Sequence, residues 1–521
     1  MNKNDNYKSI KSIKSIKSIK SIKSIKSIKS TKSIKSIKST KKINKTNFIR
    51  LPKKELKLYY FNISSNRCKL INKLNFSKII KKSFFSIPRE LFIDKKYYDK
   101  VYFNNPISIG YNQLTTKPSL ICEMIKYLDV NPSHNVLEIG TGTGFNASII
   151  STMVKNITSI EIIKPLIFNA KKIIDLLQMK GIIKNNINLI HGDGSEGYKK
   201  KAPYDRIIFT AGKQLHLPIG IENQLKEGGI IVIPLLFNGR EFIFKFIKKH
   251  GKMIKYKKIS VNFVPLKTSK IKFNNLKIIN KDYSGIVNGN NLNELLIYHK
   301  IGIQKCNLFN IIKKKINPKT LISFITIPRE LFMPFIYIKN TYIDSPHPLA
   351  YKQTISQPSL VCKMIDYLKL KSSDKVLEIG TGYGYNAAIL SKLCKKIITM
   401  DIIIGLVEGA REVFNFLINK KIIRNNILLV YGDGYKGYPI EKYFDKIIVT
   451  CGADGEVPKQ LIEQLSPNGG ICVIPIKNRV EYGREEIYRY TKNGNNIKEE
   501  QLIGVRFVPF IKKNIKTKII K

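Results

Sequence analysis

The chain has 521 residues and a formal net charge of +55, too long for one ordinary core and long enough for two or three domains. Residues 1–55 hold 17 Lys and 1 Arg against 2 acids, so the remaining +39 is spread thinly over everything else. Lys, Asn and Ile are inflated together throughout, a pattern of coding-composition bias more than of a selected basic patch, so nucleic acid is not expected as a partner.

From Lys8 to about Lys41 the sequence is a KSI triplet repeat. A period of three keeps apolar residues on no fixed helix or strand face, and its like charge cannot repay the entropy of ordering, so residues 1–60 are read as a disordered tail. The tail is Ser-rich and acid-poor like an organellar transit segment, but Lys-rich where those are Arg-rich, and an unselected expansion is the favoured reading. A stronger repeat follows, with a period of 240 residues: IPRELF stands at 87–92 and 327–332, KPSLICEMIKYL at 117–128 faces QPSLVCKMIDYL at 357–368, and GDG recurs at 192 and 432. A period this long is a whole domain, so the pattern is a tandem duplication. Copy one is placed at 61–270, a polar linker at 271–289 and copy two at 290–521.

Within each copy, short apolar runs ending in Gly, Asp or Glu (NVLEIG, KNITSIE, INLIHGDG, YDRIIFTAG, GGIIVIPL) alternate with helical stretches. The pattern predicts an α/β fold with a doubly wound, mostly parallel sheet covered on both faces, and ligands at the carboxyl ends of its strands. Glu138, Gly140, Gly142 and Gly144 form an E-x-G-x-G-x-G loop after the first strand, repeated as Glu378, Gly380, Gly382 and Gly384. Glycines let the backbone approach a ligand closely. The leading carboxylate would repel a pyrophosphate but suit the ammonium and sulfonium of S-adenosylmethionine. Glu161 lies 21 residues beyond Gly140 and Asp401 lies 21 beyond Gly380, the spacing at which an acid ending the second strand accepts ribose hydroxyls. Asp193 and Asp433, each followed by a glycine (Gly194, Gly434), are expected to meet the adenine amino group.

The stretches YKQTISQPSLVCKMIDYL, VLEIGTGYGYNAAIL, GDGYKGYP, FDKIIVTCGADGEVPKQLIEQLSPNGG and VRFVPF together resemble protein-L-isoaspartate O-methyltransferase, a family of class I S-adenosylmethionine-dependent enzymes. The resemblance covers about 200 residues in each half, in the family's order. It implies a Rossmann-like methyltransferase fold and methylation of isoaspartyl residues in damaged proteins and peptides, after which the ester collapses to a succinimide that reopens partly as aspartate. It also implies that Ser356, in the T-I-S-Q-P motif, touches the substrate carboxylate. Thr354, Ile355, Thr381 and Tyr383 complete the expected cofactor contacts of copy two. A carboxylate is already ionised at neutral pH, so transfer of a methyl from sulfonium to oxygen needs alignment more than a strong base.

Copy one departs at Thr116, which stands where Ser356 does, and at Asn262, which stands where Arg506 does. The extra methyl of threonine stiffens its rotamer and crowds the reacting atoms, so activity is expected mainly from copy two, which is also expected to bind the cofactor by itself. A class I enzyme acting on RNA and a cofactor-binding protein without catalysis are the alternatives. Seven scattered cysteines with no C-x-x-C pair and six histidines without i, i+4 pairing argue against metal and disulfides and for a reduced, cytoplasmic setting, unless the basic tail targets an organelle. No apolar run reaches the roughly 20 residues that span a bilayer. A monomer with two copies in cis is expected.

Overall fold

Leu51–Lys73 (α1) is a helix buried on several sides, with Leu58, Tyr60, Phe61, Ile63, Arg67 and Leu70 all below a tenth exposed. The computed structural model describes residues 51–212, 214–268, 274–275, 289–477, 485–513 and 515–520; the triplet repeat and most of the 271–289 linker lie outside these. After α1, copy one runs through Pro118–Leu128 (α2), Asn135–Ile139 (β1), Phe145–Ser151 (α3), Asn156–Glu161 (β2), Lys164–Met179 (α4), Ile187–His191 (β3), Tyr204–Phe209 (β4), Leu225–Phe237 (β5), Arg240–Lys249 (β6) and Lys252–Val261 (β7). Its sheet has the order β3-β2-β1-β4-β5-β6-β7, parallel from β3 to β5 and antiparallel beyond, with the two-residue strand Asn274–Asn275 antiparallel on the free edge of β3. The strand order reverses between β1 and β4, and ligands of such sheets seat at that switch point. The inner strands are apolar on both faces because helices cover both.

Copy two repeats this layout. Gly289–Ile312 (α5) corresponds to α1, followed by Pro358–Tyr367 (α6), Lys375–Ile379 (β8), Tyr385–Leu390 (α7), Lys396–Asp401 (β9), Ile404–Asn419 (α8), Ile427–Tyr431 (β10), Lys446–Val449 (β11), Asn468–Lys477 (β12), Glu485–Asn493 (β13), Asn496–Val505 (β14) and Lys518–Ile520 (β15). The order is β14-β13-β12-β11-β8-β9-β10-β15. The doubly wound, mostly parallel sheet expected from the alternating runs is therefore present in each copy. Helix α1 begins ten residues before position 61, where the sequence pattern places the start of copy one. Among the described residues no helix is long and apolar enough to cross a membrane.

The two copies meet through α1 and α5. The helices approach at Ser64 and Gly302, where a Cβ on Gly302 would lie 2.5 Å from the Ser64 hydroxyl, and Tyr60 stacks on Tyr298 at 4.6 Å. Beside this crossing Glu90 binds Arg67 at 2.7 Å, accepts from the Tyr102 hydroxyl at 2.6 Å and faces His299 of copy two at 3.4 Å. Burial alone would raise the pKa of Glu90, but Arg67 and His299 hold it down to about 2. On the other side Lys305 donates to the Ser65 hydroxyl at 2.9 Å, and Lys57 of α1 donates to the carbonyl of Glu330 at 3.0 Å. Burial lowers the pKa of Lys305 and raises that of Glu330, with which it is paired electrostatically.

The same interface corrects the expectation of unpaired cysteines. Cys68 of α1 and Cys306 of α5 form a disulfide, with Cα atoms 5.3 Å apart. They are 238 residues apart in sequence and become neighbours only because helices from different copies cross, a contact that no local spacing announces.

Candidate functional site

In copy two the loop after β8 turns on Gly380, Gly382 and Gly384, all at positive φ (93°, 56° and 91°), where a Cβ would be strained. The Gly380 and Thr381 N–H groups donate to the Met400 carbonyl at 2.8 and 3.1 Å. Asp401, at the end of β9, accepts from the Gly382 N–H through one carboxylate oxygen and from the Ile403 N–H through the other, each at 2.9 Å. Burial pushes its pKa up to about 6 in spite of these donors. A cleft in two lobes opens at this end of the sheet, and Thr354, Gly380, Gly382 and Thr450 line both. One lobe is walled by Asp401, Gly434, Cys451 and Phe510; the other by Ile355, Ser356, Thr381, Tyr383, Tyr385 and Asn386.

Three candidates of copy two do not line the cleft. Glu378 is fully buried behind the glycine loop, accepting from the Asn386 amide at 2.7 Å and from the Thr399 hydroxyl at 2.5 Å, and burial raises its pKa to about 7. It supports the loop and Asn386 from below. Asp433 is buried; it accepts from the Tyr435 N–H at 3.0 Å and the Lys513 N–H at 3.1 Å, tying the C-terminal segment to the turn that carries Gly434. Gly384 begins α7 and packs on α8, where a Cβ would lie 2.4 Å from the Phe414 ring. Arg506 is exposed, while Val508 and Pro509 reach the cleft wall.

Copy one has one continuous cleft, lined by Thr116, Gly140, Gly142, Glu161 and Gly194. Glu161 accepts from the Gly142 N–H at 2.8 Å and the Ile163 N–H at 3.0 Å, and burial raises its pKa. Glu138 is buried on Asn146 and Ser159, Gly144 opens α3, and Asp193 caps the turn at Ser195, as their counterparts do. The walls differ: Leu114, Ala211, Leu266 and Lys267 stand where copy two has Thr354, Cys451, Phe510 and Ile511.

The structure adds residues that the motifs passed over. Thr450, at the end of β11, donates to the Gly380 carbonyl at 2.6 Å and lines both lobes; Thr210 donates to the Gly140 carbonyl in copy one and lines its cleft. A hydroxyl at the end of the fourth strand, beside the switch point, is the signal that could have found them. The donor set suits a ribose-bearing, cationic cofactor. Gly382 has nothing nearer than 3.8 Å to a built Cβ, so a side chain there would take up ligand space, whereas at Gly434 a Cβ would lie 2.4 Å from Ile379.

The sequence model of the protein-L-isoaspartate(D-aspartate) O-methyltransferase family matches residues 66–271 and again 304–515. The chain is 46% identical over 188 residues to the protein-L-isoaspartate O-methyltransferase of Fervidobacterium nodosum, covering 35% of this chain and 88% of that protein. It is 42% identical over 191 residues to the enzyme of the same name from Dictyoglomus thermophilum, covering 37% and 82%. Among solved structures, a protein-L-isoaspartate O-methyltransferase at 29% identity covers 39% of this chain and 65% of its own, with a TM-score of 0.35. Two successive matches to one family model, each over the parallel core of a sheet with its own glycine loop, leave one conclusion: the chain belongs to the protein-L-isoaspartate(D-aspartate) O-methyltransferase family, in two tandem copies.

Proposed function

We propose that the chain methylates the free carboxylate of L-isoaspartyl residues in damaged proteins, with S-adenosylmethionine as donor, and that copy two is where it does so. The observation that carries this reading is a two-lobed cleft with Asp401 in one lobe, Ser356 in the other, and Gly380 and Gly382 lining both. The cofactor supplies an electrophilic methyl group when bound. Asp401 accepts its ribose hydroxyls, the glycine loop gives its backbone close approach, and the Ser356 hydroxyl holds the substrate carboxylate in line. Copy one, with Thr116 and a differently walled cleft, serves as a scaffold and contributes little turnover. The interface between α1 and α5 lies within one chain, and the unit proposed here is a monomer with both copies in cis. The test is incubation with methyl-labelled cofactor beside an isoaspartyl peptide, its aspartyl twin and bulk RNA. Base-labile label on the isoaspartyl peptide alone is the expected result, and label stable in RNA defeats the reading.

The buried Asp401 makes cofactor binding depend on pH. Its carboxylate must be ionised to accept hydroxyls, and its pKa is raised to about 6. A proton therefore competes with the cofactor below that value. Affinity for S-adenosylhomocysteine, measured by calorimetry in a Glu161→Ala background that weakens the other cleft, should be flat above pH 7 and fall toward about tenfold per pH unit well below 6. An Asp401→Asn variant should show weak binding without that slope.

A further inference from the structure

We propose that Arg329 is a positioning residue for methyl transfer, fixing the loop that presents Ser356 against the loop that seats the cofactor; this rests on the functional reading of copy two. Arg329 comes from the IPRELF segment and is fully buried. Its Nε donates to the Thr341 carbonyl at 3.0 Å and its Nη2 to the Ser356 carbonyl at 2.8 Å. The guanidinium lies 4.9 Å from the ring centre of Tyr385, the residue that follows Gly384. One side chain therefore joins the turn at Thr341, the backbone of Ser356 and the start of the helix that leaves the glycine loop.

Burial lowers the pKa of this guanidinium, and removing an arginine from water is costly; Nε and Nη2 are used, while Nη1 is buried with no hydrogen-bond partner among the described residues. A core that needed only volume at this point could be filled by an apolar side chain. The planar fork meets two carbonyls and an aromatic face at once, which a lysine cannot do. Ser356 is followed by Gln357 and by Pro358, the first residue of α6. The held carbonyl and the helix start both lie on its C-terminal side, and on its N-terminal side Ile355 is paired in register with His347, so its backbone has little freedom, and the direction of its side chain follows. Small displacements of reacting groups cost large factors in rate. The arrangement recurs in copy one, where Arg89 reaches the Thr116 carbonyl at 3.3 Å and lies 5.1 Å from the Phe145 ring. There its nearer bond, at 3.0 Å, goes to the Thr115 hydroxyl; copy two has Ile355 at that position, so the Ser356 carbonyl takes the shorter bond.

Behind Arg329 its neighbour Glu330 is seated by the copy interface, with Tyr342 donating to its carboxylate at 3.0 Å and Lys57 of copy one holding its carbonyl. The clamp is thus braced from the other half of the chain.

The experiment is a double-mutant cycle in the full chain, Arg329→Lys with Ser356→Ala, reading kcat on an isoaspartyl peptide and, separately, affinity for S-adenosylhomocysteine in the Glu161→Ala background. Arg329→Lys should lower kcat by about tenfold or more while cofactor affinity stays within about twofold. In the Ser356→Ala background the same substitution should cost less than about twofold, because the group it positions is gone. Equal losses in both backgrounds, or a fall in kcat matched by a fall in cofactor affinity, overturn the proposal in favour of general support of the fold. Arg329→Gln is the second variant; if neither it nor Arg329→Lys folds, the arginine is structural and the proposal fails. Absence of turnover in the unaltered protein would defeat the functional reading instead, a result distinct from turnover that ignores Arg329.

Discussion

Asp401→Ala should reduce kcat/KM for an isoaspartyl peptide by about a hundredfold or more, while Glu161→Ala should leave at least half of it. Each hydrogen bond to a charged group contributes about 1.5–3 kcal/mol, and the Asp401 carboxylate stands to offer two to a ribose. It also accepts from the Gly382 and Ile403 N–H groups, so its loss slackens the loop as well as the ligand. Glu161 plays the same part around Gly142 and Ile163, which makes the two variants a matched pair. Their difference then reports on the cleft and not on the fold. Equal losses would mean that both copies turn over, and the reverse order would assign the reaction to Thr116 and copy one. Calorimetry on the same variants separates a cleft that binds without reacting from one that does neither.

Copy two produced alone, as residues 289–521, should melt at least about 10 °C below the intact chain, and adding residues 51–268 should restore part of the loss. Separation uncovers the part of α5 that meets α1, Tyr298 on Tyr60 among it, and burying apolar side chains of this size contributes roughly 1.5–3 kcal/mol each. Part of that burial is within copy two itself, so a net loss of several kcal/mol is expected, about 2–4 °C for each in a domain of this size. It also strips Ser65 and Lys57 from Lys305 and Glu330. Thermal melts with saturating S-adenosylhomocysteine measure the effect; an unchanged melting temperature would mean that α5 is satisfied within its own copy. Copy two is expected to bind the cofactor by itself, and the crossing of α1 and α5 predicts that it does so from a less stable fold.

What could be read from the sequence was local. The glycine loops, the acids ending β2 and β9, and T-I-S-Q-P each sit within a few residues, and the structure gathers Gly380, Gly382, Asp401 and Ser356 around one cleft. The direction of Glu378 was not legible. In a strand buried on both faces no polar alternation marks which side a residue takes, and Glu378 points behind the loop, to Asn386 and Thr399. The partners of Asp433 were not legible either: it stands outside the cleft lining and accepts from two backbone N–H groups, one of them 80 residues away at Lys513. The boundary drawn at residue 60 between the tail and copy one falls inside helix α1, whose apolar residues follow no single stripe, as befits a helix buried against several neighbours. Arg329 was visible only as part of a repeated motif, because the carbonyl it holds lies 27 residues further on.

The bond between Cys68 and Cys306 gives the molecule a covalent shape that its linear sequence conceals. Nearly all of the first family match, from residue 66 to 271, falls inside the closed segment, so copy one is a ring and copy two is a pendant attached to it. A single backbone cut anywhere inside the ring leaves one covalent molecule, whereas a cut beyond Cys306 releases a piece. The constraint on the unfolded chain that a cross-link imposes is likewise spent on the ring. The half with Ser356 unfolds into an open chain, and it must draw its share of protection from the helix crossing instead.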